Sequence, residues 1–293
     1  MKRKLRSLGQ NVVFLGLPTA VFCVVLLIPF CLSVFYALTD WNGVSKSFNF
    51  IWLENFQKIF SGGSNFSGSI CFTAALAIID TFFTIILGVG LAALLTSKLP
   101  GSNFFRAAFF LPNTLGGIVL GYIWKFIFIM GFGYIGKHVA VALFQWEWLG
   151  TFETSFAALI IVSVWQALGY VMVIMIAALV GVPSDLCESA LVDGANRWQI
   201  FFHIKMPYCM PYLTVCIFWT LAQSLKMFDL NVSMTGGGPY GSTVSMALQI
   251  YRDAFTSNNY GYANAEGVVF FMIIFVITSL QIYFSKKKEA RYQ

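Results

Sequence analysis

Charged side chains are scarce in this 293-residue chain: Asp, Glu, Lys and Arg make up 10% of it, whereas soluble domains carry about 25%. Hydrophobic residues account for 58%, and phenylalanine alone occupies 31 positions. The mean hydropathy is +0.77. So few charged groups could not cover the surface of a water-soluble fold of this length. The composition therefore excludes an ordinary soluble domain and indicates an integral membrane protein.

The chain also lacks the motifs of common enzymes. It has only two histidines, His138 and His203, and no Gly-x-x-x-x-Gly-Lys-Ser/Thr loop, His-Glu-x-x-His motif or Gly-x-Ser-x-Gly turn. Its six cysteines show no Cys-x-x-Cys spacing and mostly lie in apolar segments. We interpret them as small hydrophobic residues, neither metal ligands nor a disulfide framework. We predict no catalytic residue and no metal site.

Long apolar runs are what the sequence has in abundance. A helix that crosses the bilayer core of about 30 Å needs roughly 20 mainly apolar residues. Segments of this kind occupy 12–38, 69–97, 107–130, 155–181, 209–228 and 263–284. Their length and continuity favour helices over the short alternating strands of a membrane barrel. We predict an all-α polytopic membrane protein with six transmembrane helices, forming a single transmembrane domain over residues 1–293.

The basic residues predict the orientation of these helices. With the N-terminus inside, 12 of the 18 Lys and Arg residues fall on the cytoplasmic side: at both ends of the chain, around the turn after the second span, and in residues 182–208. We therefore expect both termini in the cytoplasm and a retained first span, because its apolar run is longer than that of a signal peptide. The net charge of +6 is explained by topology, and nothing in the pattern indicates nucleic-acid binding.

Residues 182–208 form a polar island between two apolar spans. Pro183 ends the fourth span, and Ser184 or Asp185 is placed to cap a short helix that Gly194 would terminate. Asn196 is placed to cap a second helix through Trp198 and Phe202. Such a compact segment, with Glu188 and Asp193 available to basic groups, suits a rigid contact with another protein. An ordinary amphipathic helix at the membrane interface is the alternative.

The island resembles the cytoplasmic coupling loop of bacterial ABC importer permeases. The family pattern is Glu-Ala-Ala, three residues, Gly, about nine residues and Ile-x-Leu-Pro; this chain has Glu188-Ser189-Ala190, Gly194 and Ile204-Lys-Met-Pro207. Ser189 and Met206 depart from the pattern but preserve small or apolar character. Further stretches resemble motifs of the carbohydrate-type permeases in the same order: Thr39-Asp-Trp-Asn-Gly43, Trp52-Leu-Glu-Asn-Phe56, Phe105-Arg106 through Leu111-Pro112, Thr235-Gly-Gly-Gly-Pro239 and Gly261-Tyr-Ala-Asn-Ala265.

This resemblance implies a type I ABC importer permease fold and a set of partners. They are a second homologous permease in a heterodimer, two cytoplasmic ATP-binding subunits, an extracytoplasmic solute-binding protein and the lipid bilayer of a bacterial plasma membrane. It implies no cofactor in this chain, since ATP and Mg²⁺ would be bound by the ATPase subunits. The residues expected to couple to the ATPase are Glu188, Ser189, Ala190, Asp193, Gly194 and Arg197.

Polar residues within the spans are the candidates for a solute path, because they are costly in a membrane. Sugars present hydroxyl groups and apolar ring faces, so their path should mix amides and hydroxyls with aromatic rings. By resemblance, the spans that flank the coupling loop line the path. The candidates there are Gln166, Gly169, Tyr170, Trp219, Gln223, Ser224 and Phe228. Lys226 and Asp229 could pair on one helix face, either toward a solute or near the interface.

The combined reading is a permease subunit of an ATP-driven, binding-protein-dependent importer, with an oligosaccharide as the expected solute. Glycerol phosphate or another small polar solute is the alternative within the same class. A membrane-embedded enzyme or an autonomous secondary transporter is the alternative from a different class. An enzyme would need a catalytic constellation at membrane depth, and an ion-driven carrier would need more intramembrane carboxylates and no cytoplasmic lever.

Overall fold

The computed structural model of the chain describes residues 12–61, 64–97, 100–139 and 141–289. Across these residues the backbone forms helices, turns and loops with no strand beyond an isolated bridge between Thr39 and Phe50. The helices are α1 (Phe14–Ala37), α2 (Glu54–Phe60), α3 (Asn65–Leu95), α4 (Ser102–Phe110), α5 (Gly117–His138), α6 (Ala142–Gln145), α7 (Phe152–Val180), α8 (Ser184–Val192), α9 (Arg197–Tyr208), α10 (Met210–Leu225), α11 (Asp229–Met234), α12 (Met246–Phe255) and α13 (Tyr260–Glu289).

Five of these helices, α1, α3, α5, α7 and α13, are long and apolar enough to cross a membrane. The consecutive helices α9 and α10 supply a sixth candidate span if they are counted as one bent unit. The predicted all-α polytopic fold is confirmed. The basic residues of the predicted topology at positions 2–6, 98 and 291 lie outside the described residues.

Two spans differ locally from the predicted segments, and proline accounts for both differences. The third was predicted from residue 107, but α4 ends at Phe110, a 3₁₀ turn follows over Leu111–Thr114, and α5 begins at Gly117. Pro112 in that turn has no N–H to continue an α-helix. Around the start of the fifth span, α9 and α10 meet at an angle of 72°, with Pro207 and Pro211 on either side of the bend.

Contacts divide the chain into two compact units. The first comprises the segment up to Ser67 together with Ile250–Met272, and the second comprises Gly68–Gln249 together with the segment from Ile273 onward. In the first unit, three sequence motifs come together after α1: those at residues 39–43, 52–56 and 261–265. The backbone N–H of Gly261 donates to the carbonyl oxygen of Trp41 at 2.7 Å. The motif at 52–56 is joined to the end of α1 by Asn55, whose side chain bonds to the carbonyl oxygen of Ala37.

The carboxylate of Asp40 closes the loop after α1. It accepts hydrogen bonds from the backbone N–H of Asn49 at 2.7 Å and from the Asn49 side-chain amide at 3.0 Å. These two donors, the backbone N–H first, hold the pKa of Asp40 below its usual value. The loop is therefore tied by a group that stays ionised in mildly acidic solution.

The second unit is built around α7, the span with the largest buried share. Thr151 and Thr154 cap its N-terminus reciprocally. Its apolar residues pack against α4, the 3₁₀ turn, α10 and α11, while α11 also packs along α5. A helix that is hydrophobic all round belongs in the interior of a bundle. The central position of α7 brings the polar residues of its neighbours to one place.

The first testable consequence concerns Asn55, which is buried at 3% exposure. Its side-chain amide donates to the carbonyl oxygens of Ala37 and Thr39, both at 2.9 Å. Asn55→Ala removes both bonds and leaves buried acceptors unpaired, which should lower the free energy of unfolding by about 1–3 kcal/mol. Thermal unfolding of the purified protein measures the change. Gln57→Ala, at an exposed position of the same helix, is the control, and an equal loss of stability in both variants would contradict the assignment.

Candidate functional site

The predicted coupling segment, residues 182–208, begins with α8, and the N-cap of this helix differs from the prediction. Pro183 has an extended backbone at the N-cap position, and no side chain caps the helix. The prediction that Ser184 or Asp185 provides the cap is wrong, because both lie inside the first turn, where the Ser184 hydroxyl donates to the Asp185 carboxylate at 3.2 Å. Asp185 still places negative charge at the positive end of the helix.

Gly194 ends α8 with a left-handed turn, as predicted. Its φ is +83°, a conformation that favours glycine over other residues. The N–H of Ala195 donates to the carbonyl of Ala190 at 2.9 Å, and the N–H of Gly194 to that of Leu191 at 3.1 Å. This pair of bonds is a Schellman motif, which satisfies the last carbonyls of the helix and reverses the chain. The glycine therefore sets the angle between α8 and α9.

Asn196 caps α9, also as predicted. Its side-chain oxygen accepts from the N–H of Gln199 at 2.9 Å, and the Gln199 side chain accepts from the N–H of Asn196 at 2.7 Å. Both short helices of the segment are thus fixed by local hydrogen bonds. The predicted coupling residues Glu188, Ser189, Asp193, Gly194 and Arg197 are exposed, whereas Ala190 is half-buried.

Apolar side chains accompany this exposed polar set. Val192 is 88% exposed and Trp198 73% exposed. Leu186, Leu191 and Phe202 are also open to the surroundings. The segment therefore presents hydrophobic area flanked by carboxylates.

A polar cavity of about 360 Å³ lies at the other end of α10. It is bounded by residues of α3, α7, α10 and α11 and of the segment that leads into α5. Its volume falls within the range of small-molecule sites in proteins. The lining residues are Asp80, Asn113, Gly117, Ser163, Gln166, Ala167, Trp219, Thr220, Gln223, Ser224, Lys226, Met227, Phe228, Asp229 and Leu230.

Five of the predicted path residues lie on this cavity: Gln166, Trp219, Gln223, Ser224 and Phe228. Gln223 is exposed to it, whereas the Gln166 amide donates to the carbonyl of Leu115 at 3.0 Å. Tyr170 lies outside the lining and stacks on Trp219, with ring centroids 4.0 Å apart. Tyr170 thus supports the aromatic wall rather than forming it.

Gly169 packs α7 against α4 and is not among the residues that line the cavity. A β-carbon at this position would lie 2.1 Å from the carbonyl oxygen of Phe109, far inside van der Waals contact. The absence of a side chain lets α4 lie directly against α7. The path role of Gly169 stays a prediction, and what the structure shows for this residue is packing against α4.

The predicted pairing of Lys226 and Asp229 on one helix face is wrong. Helix α10 ends at Leu225 and α11 begins at Asp229, so the two residues stand on either side of a break in the helix. Within the described residues they form no salt bridge with each other. Both line the cavity instead. The break places one cation and one anion at its rim.

Asp80 is the most buried charged residue of the cavity, at 2% exposure. The Ser163 hydroxyl donates to one of its carboxyl oxygens at 2.6 Å, and the Ser224 hydroxyl donates to the other. Asp80 lies in the apolar run 69–97, which marks it as a polar residue inside a span but gives no indication of these serines. Helix spacing within one segment does not predict contacts between three helices.

Asn113 and Glu266 are functional candidates that the sequence analysis missed. Asn113 lines the cavity from the 3₁₀ turn, which had been assigned to a continuous span. Glu266 belongs to the first unit, is fully buried, and lies next to the carboxyl group of Asp253. A carboxyl group in the apolar run 263–284 was the indication available in the sequence.

These features define a class of protein: a helical membrane protein with a polar cavity between its spans and a rigid exposed segment joining two of the cavity helices. The comparisons agree with this class. A family model described as the binding-protein-dependent transport system inner membrane component matches residues 84–289. The chain belongs to this family, and it is therefore a transport subunit rather than an enzyme.

Curated relatives match nearly the whole chain. The probable starch degradation products transport system permease protein AmyD of Thermoanaerobacterium thermosulfurigenes is 41% identical, covering 91% of this chain and 90% of its own length. The multiple sugar-binding transport system permease protein MsmF of Streptococcus mutans is 34% identical, covering 94% and 95%. A chain of a bacterial ABC transporter involved in alginate import superposes with a TM-score of 0.79 at 19% identity, covering 97% and 99%, and shows that the fold is the same.

The packing role of Gly169 yields the second testable consequence. Replacing glycine by alanine inside a helix normally stabilises the helix. Gly169→Ala should instead destabilise the protein by about 1–3 kcal/mol, because the new methyl group overlaps the α4 backbone. Thermal unfolding in detergent measures this. Gly90→Ala in α3, where a β-carbon would meet open space, is the matched control and should be neutral or slightly stabilising; a stable Gly169→Ala would refute the packing role.

Proposed function

We propose that this chain forms half of the translocation path of an ATP-driven importer for a neutral carbohydrate, with an oligosaccharide as the preferred solute. The observation that carries the proposal is the cavity between α7 and α10, which combines the Trp219 ring with the amides of Gln166 and Gln223. Ring faces of sugars pack on aromatic side chains, and amides both donate to and accept from hydroxyl groups.

Charge favours a neutral solute over glycerol phosphate. Phosphate sites in proteins usually use arginine or several cationic donors. The cavity contains one cationic side chain, Lys226, and two carboxyl groups, Asp80 and Asp229. A single cationic side chain beside two carboxyl groups gives an anionic solute little stabilisation. The names of AmyD and MsmF, which refer to starch degradation products and to multiple sugars, support the carbohydrate class.

The proposed assembly contains a second homologous permease, two cytoplasmic ATPase subunits that bind ATP and Mg²⁺, and an extracytoplasmic solute-binding protein. Both termini of this chain and the coupling segment face the cytoplasm. The exposed apolar residues around Val192 and Trp198 seat the segment in a groove of one ATPase, while Glu188 and Asp193 face basic groups at its edge. One relative in fold, the alginate transporter, was solved in complex with an alginate-bound periplasmic protein, which supports the binding-protein partner.

The proposal is tested with the complete transporter in proteoliposomes, using maltotriose, N,N′-diacetylchitobiose and glycerol 3-phosphate as probes. We expect uptake of at least one neutral sugar and none of glycerol 3-phosphate. Gln223→Ala should raise the half-saturating sugar concentration about threefold to tenfold, since one hydrogen bond to a hydroxyl is lost. Gln57→Ala, which lies on α2 outside the cavity, should leave it unchanged. Uptake of glycerol 3-phosphate alone would overturn the carbohydrate assignment.

The coupling role is tested at Glu188. Glu188→Lys should lower uptake by about tenfold or more while the subunits still assemble, because reversed charge adds repulsion at a contact with basic residues. Glu188→Gln removes the attraction without adding repulsion and should lose less activity. Uptake and ATP hydrolysis are measured on the same preparations. Normal uptake and normal stimulated hydrolysis in Glu188→Lys would rule out this contact.

A further inference from the structure

Asp80 is where three helices of the cavity meet through side chains. It belongs to α3, whereas its two hydrogen-bond donors, Ser163 and Ser224, belong to α7 and α10. The coupling segment leaves α7 at Val180 and reaches α10 at Met210. A displacement of that segment therefore acts on the two helices that Asp80 holds against α3.

Each serine has a second acceptor on its own helix. The Ser163 hydroxyl lies 3.2 Å from the carbonyl oxygen of Ile160, and the Ser224 hydroxyl lies 2.9 Å from that of Thr220. A serine that leaves Asp80 can thus donate to its own backbone and remain satisfied. This removes the penalty that normally attends breaking a buried hydrogen bond.

Asp80 is an acceptor, and within the described residues its two recorded side-chain donors are Ser163 and Ser224. It is buried, and within the described residues no cation forms a salt bridge with it. If a serine departs, the Asp80 oxygen that it leaves needs another hydrogen-bond donor, because an unsatisfied buried polar group is costly. The cavity that it lines is open space beside it. A hydroxyl group of a bound sugar is a donor of the same chemistry as the serine.

We propose that Asp80 exchanges hydrogen-bond partners during transport: a solute hydroxyl replaces the Ser224 hydroxyl on Asp80, and this releases α10 from α3. Binding of solute in the cavity thereby changes the contacts of α10, the helix that follows the coupling segment. Ser163 continues to hold α7. The inference rests on the proposed function, since it requires that the cavity receive the solute and that α10 transmit motion to the ATPase.

The test compares Ser224→Ala with a matched variant, Thr214→Val. Both hydroxyl groups lie on α10 and bond a carbonyl one turn earlier, but only that of Ser224 also reaches Asp80. The complete transporter in proteoliposomes is assayed for ATP hydrolysis with and without sugar-loaded binding protein. Maltotriose is the sugar, or the member of the earlier panel that the wild type transports.

Removing the serine should release α10 without solute. We expect Ser224→Ala to raise solute-independent hydrolysis about tenfold, the factor appropriate to one charge-assisted hydrogen bond. The half-saturating sugar concentration should fall, because the sugar no longer competes with the serine for Asp80. Thr214→Val should change neither quantity, and Ser224→Thr, which keeps the hydroxyl, should restore wild-type values.

Asp80→Asn supplies a second arm, in which an unchanged or lower half-saturating sugar concentration would by itself contradict the exchange. The carboxamide preserves the volume but is a weaker acceptor, so the half-saturating sugar concentration should rise rather than fall. A purely structural role for Asp80 and Ser224 would move both variants in the same direction, and that result would overturn the exchange.

The outcomes separate this inference from the proposed function. If the wild type transports none of the neutral sugars, the carbohydrate function itself fails. If the wild type transports sugar but Ser224→Ala behaves like Thr214→Val, only the exchange at Asp80 fails.

Discussion

Inside a bilayer no water is available to a polar group, and the arrangement of α3, α7 and α10 follows from that constraint. Asp80 could not remain in a lipid-facing position, and it is buried where two serines from neighbouring helices reach it. Satisfying one carboxyl group thereby sets the mutual position of three spans. The cavity lies beside this point because the amides of Gln166 and Gln223 collect on the same side of the bundle.

In the predicted coupling segment, residues 182–208, the ends of the two short helices are fixed by neighbours in the chain. Its stability comes from local hydrogen bonds: the Schellman motif at Gly194 and the reciprocal cap between Asn196 and Gln199. Hydrogen bonds of this kind fix the two short helices relative to each other. The two ends of the segment continue into α7 and α10, the helices whose serines contact Asp80. The same two helices therefore border both the cavity and this segment.

Local chemistry explains which predictions about helix ends were confirmed. The turn at Gly194 and the cap at Asn196 depend on neighbours within a few residues, so their spacing sufficed to predict them. Ser184 and Asp185 do not cap α8 because Pro183 occupies the N-cap position and the helix begins at Ser184. Lys226 and Asp229 failed as a pair because the helix between them is broken. Gly169 was assigned to the path by its position on α7, yet the carbonyl oxygen of Phe109 occupies the space beside it.

By itself the sequence determined a helical membrane protein, because runs of about 20 apolar residues have few other stable states. It also determined the helix ends of the exposed segment 182–208, because its glycine and capping residues act on their immediate neighbours. Tertiary structure alone decided which polar side chains share one cavity, that Tyr170 supports Trp219, and that Asp80 binds serines from two other helices. These contacts join residues that are distant in the chain, and their geometry depends on how the helices pack rather than on the periodicity within any one of them.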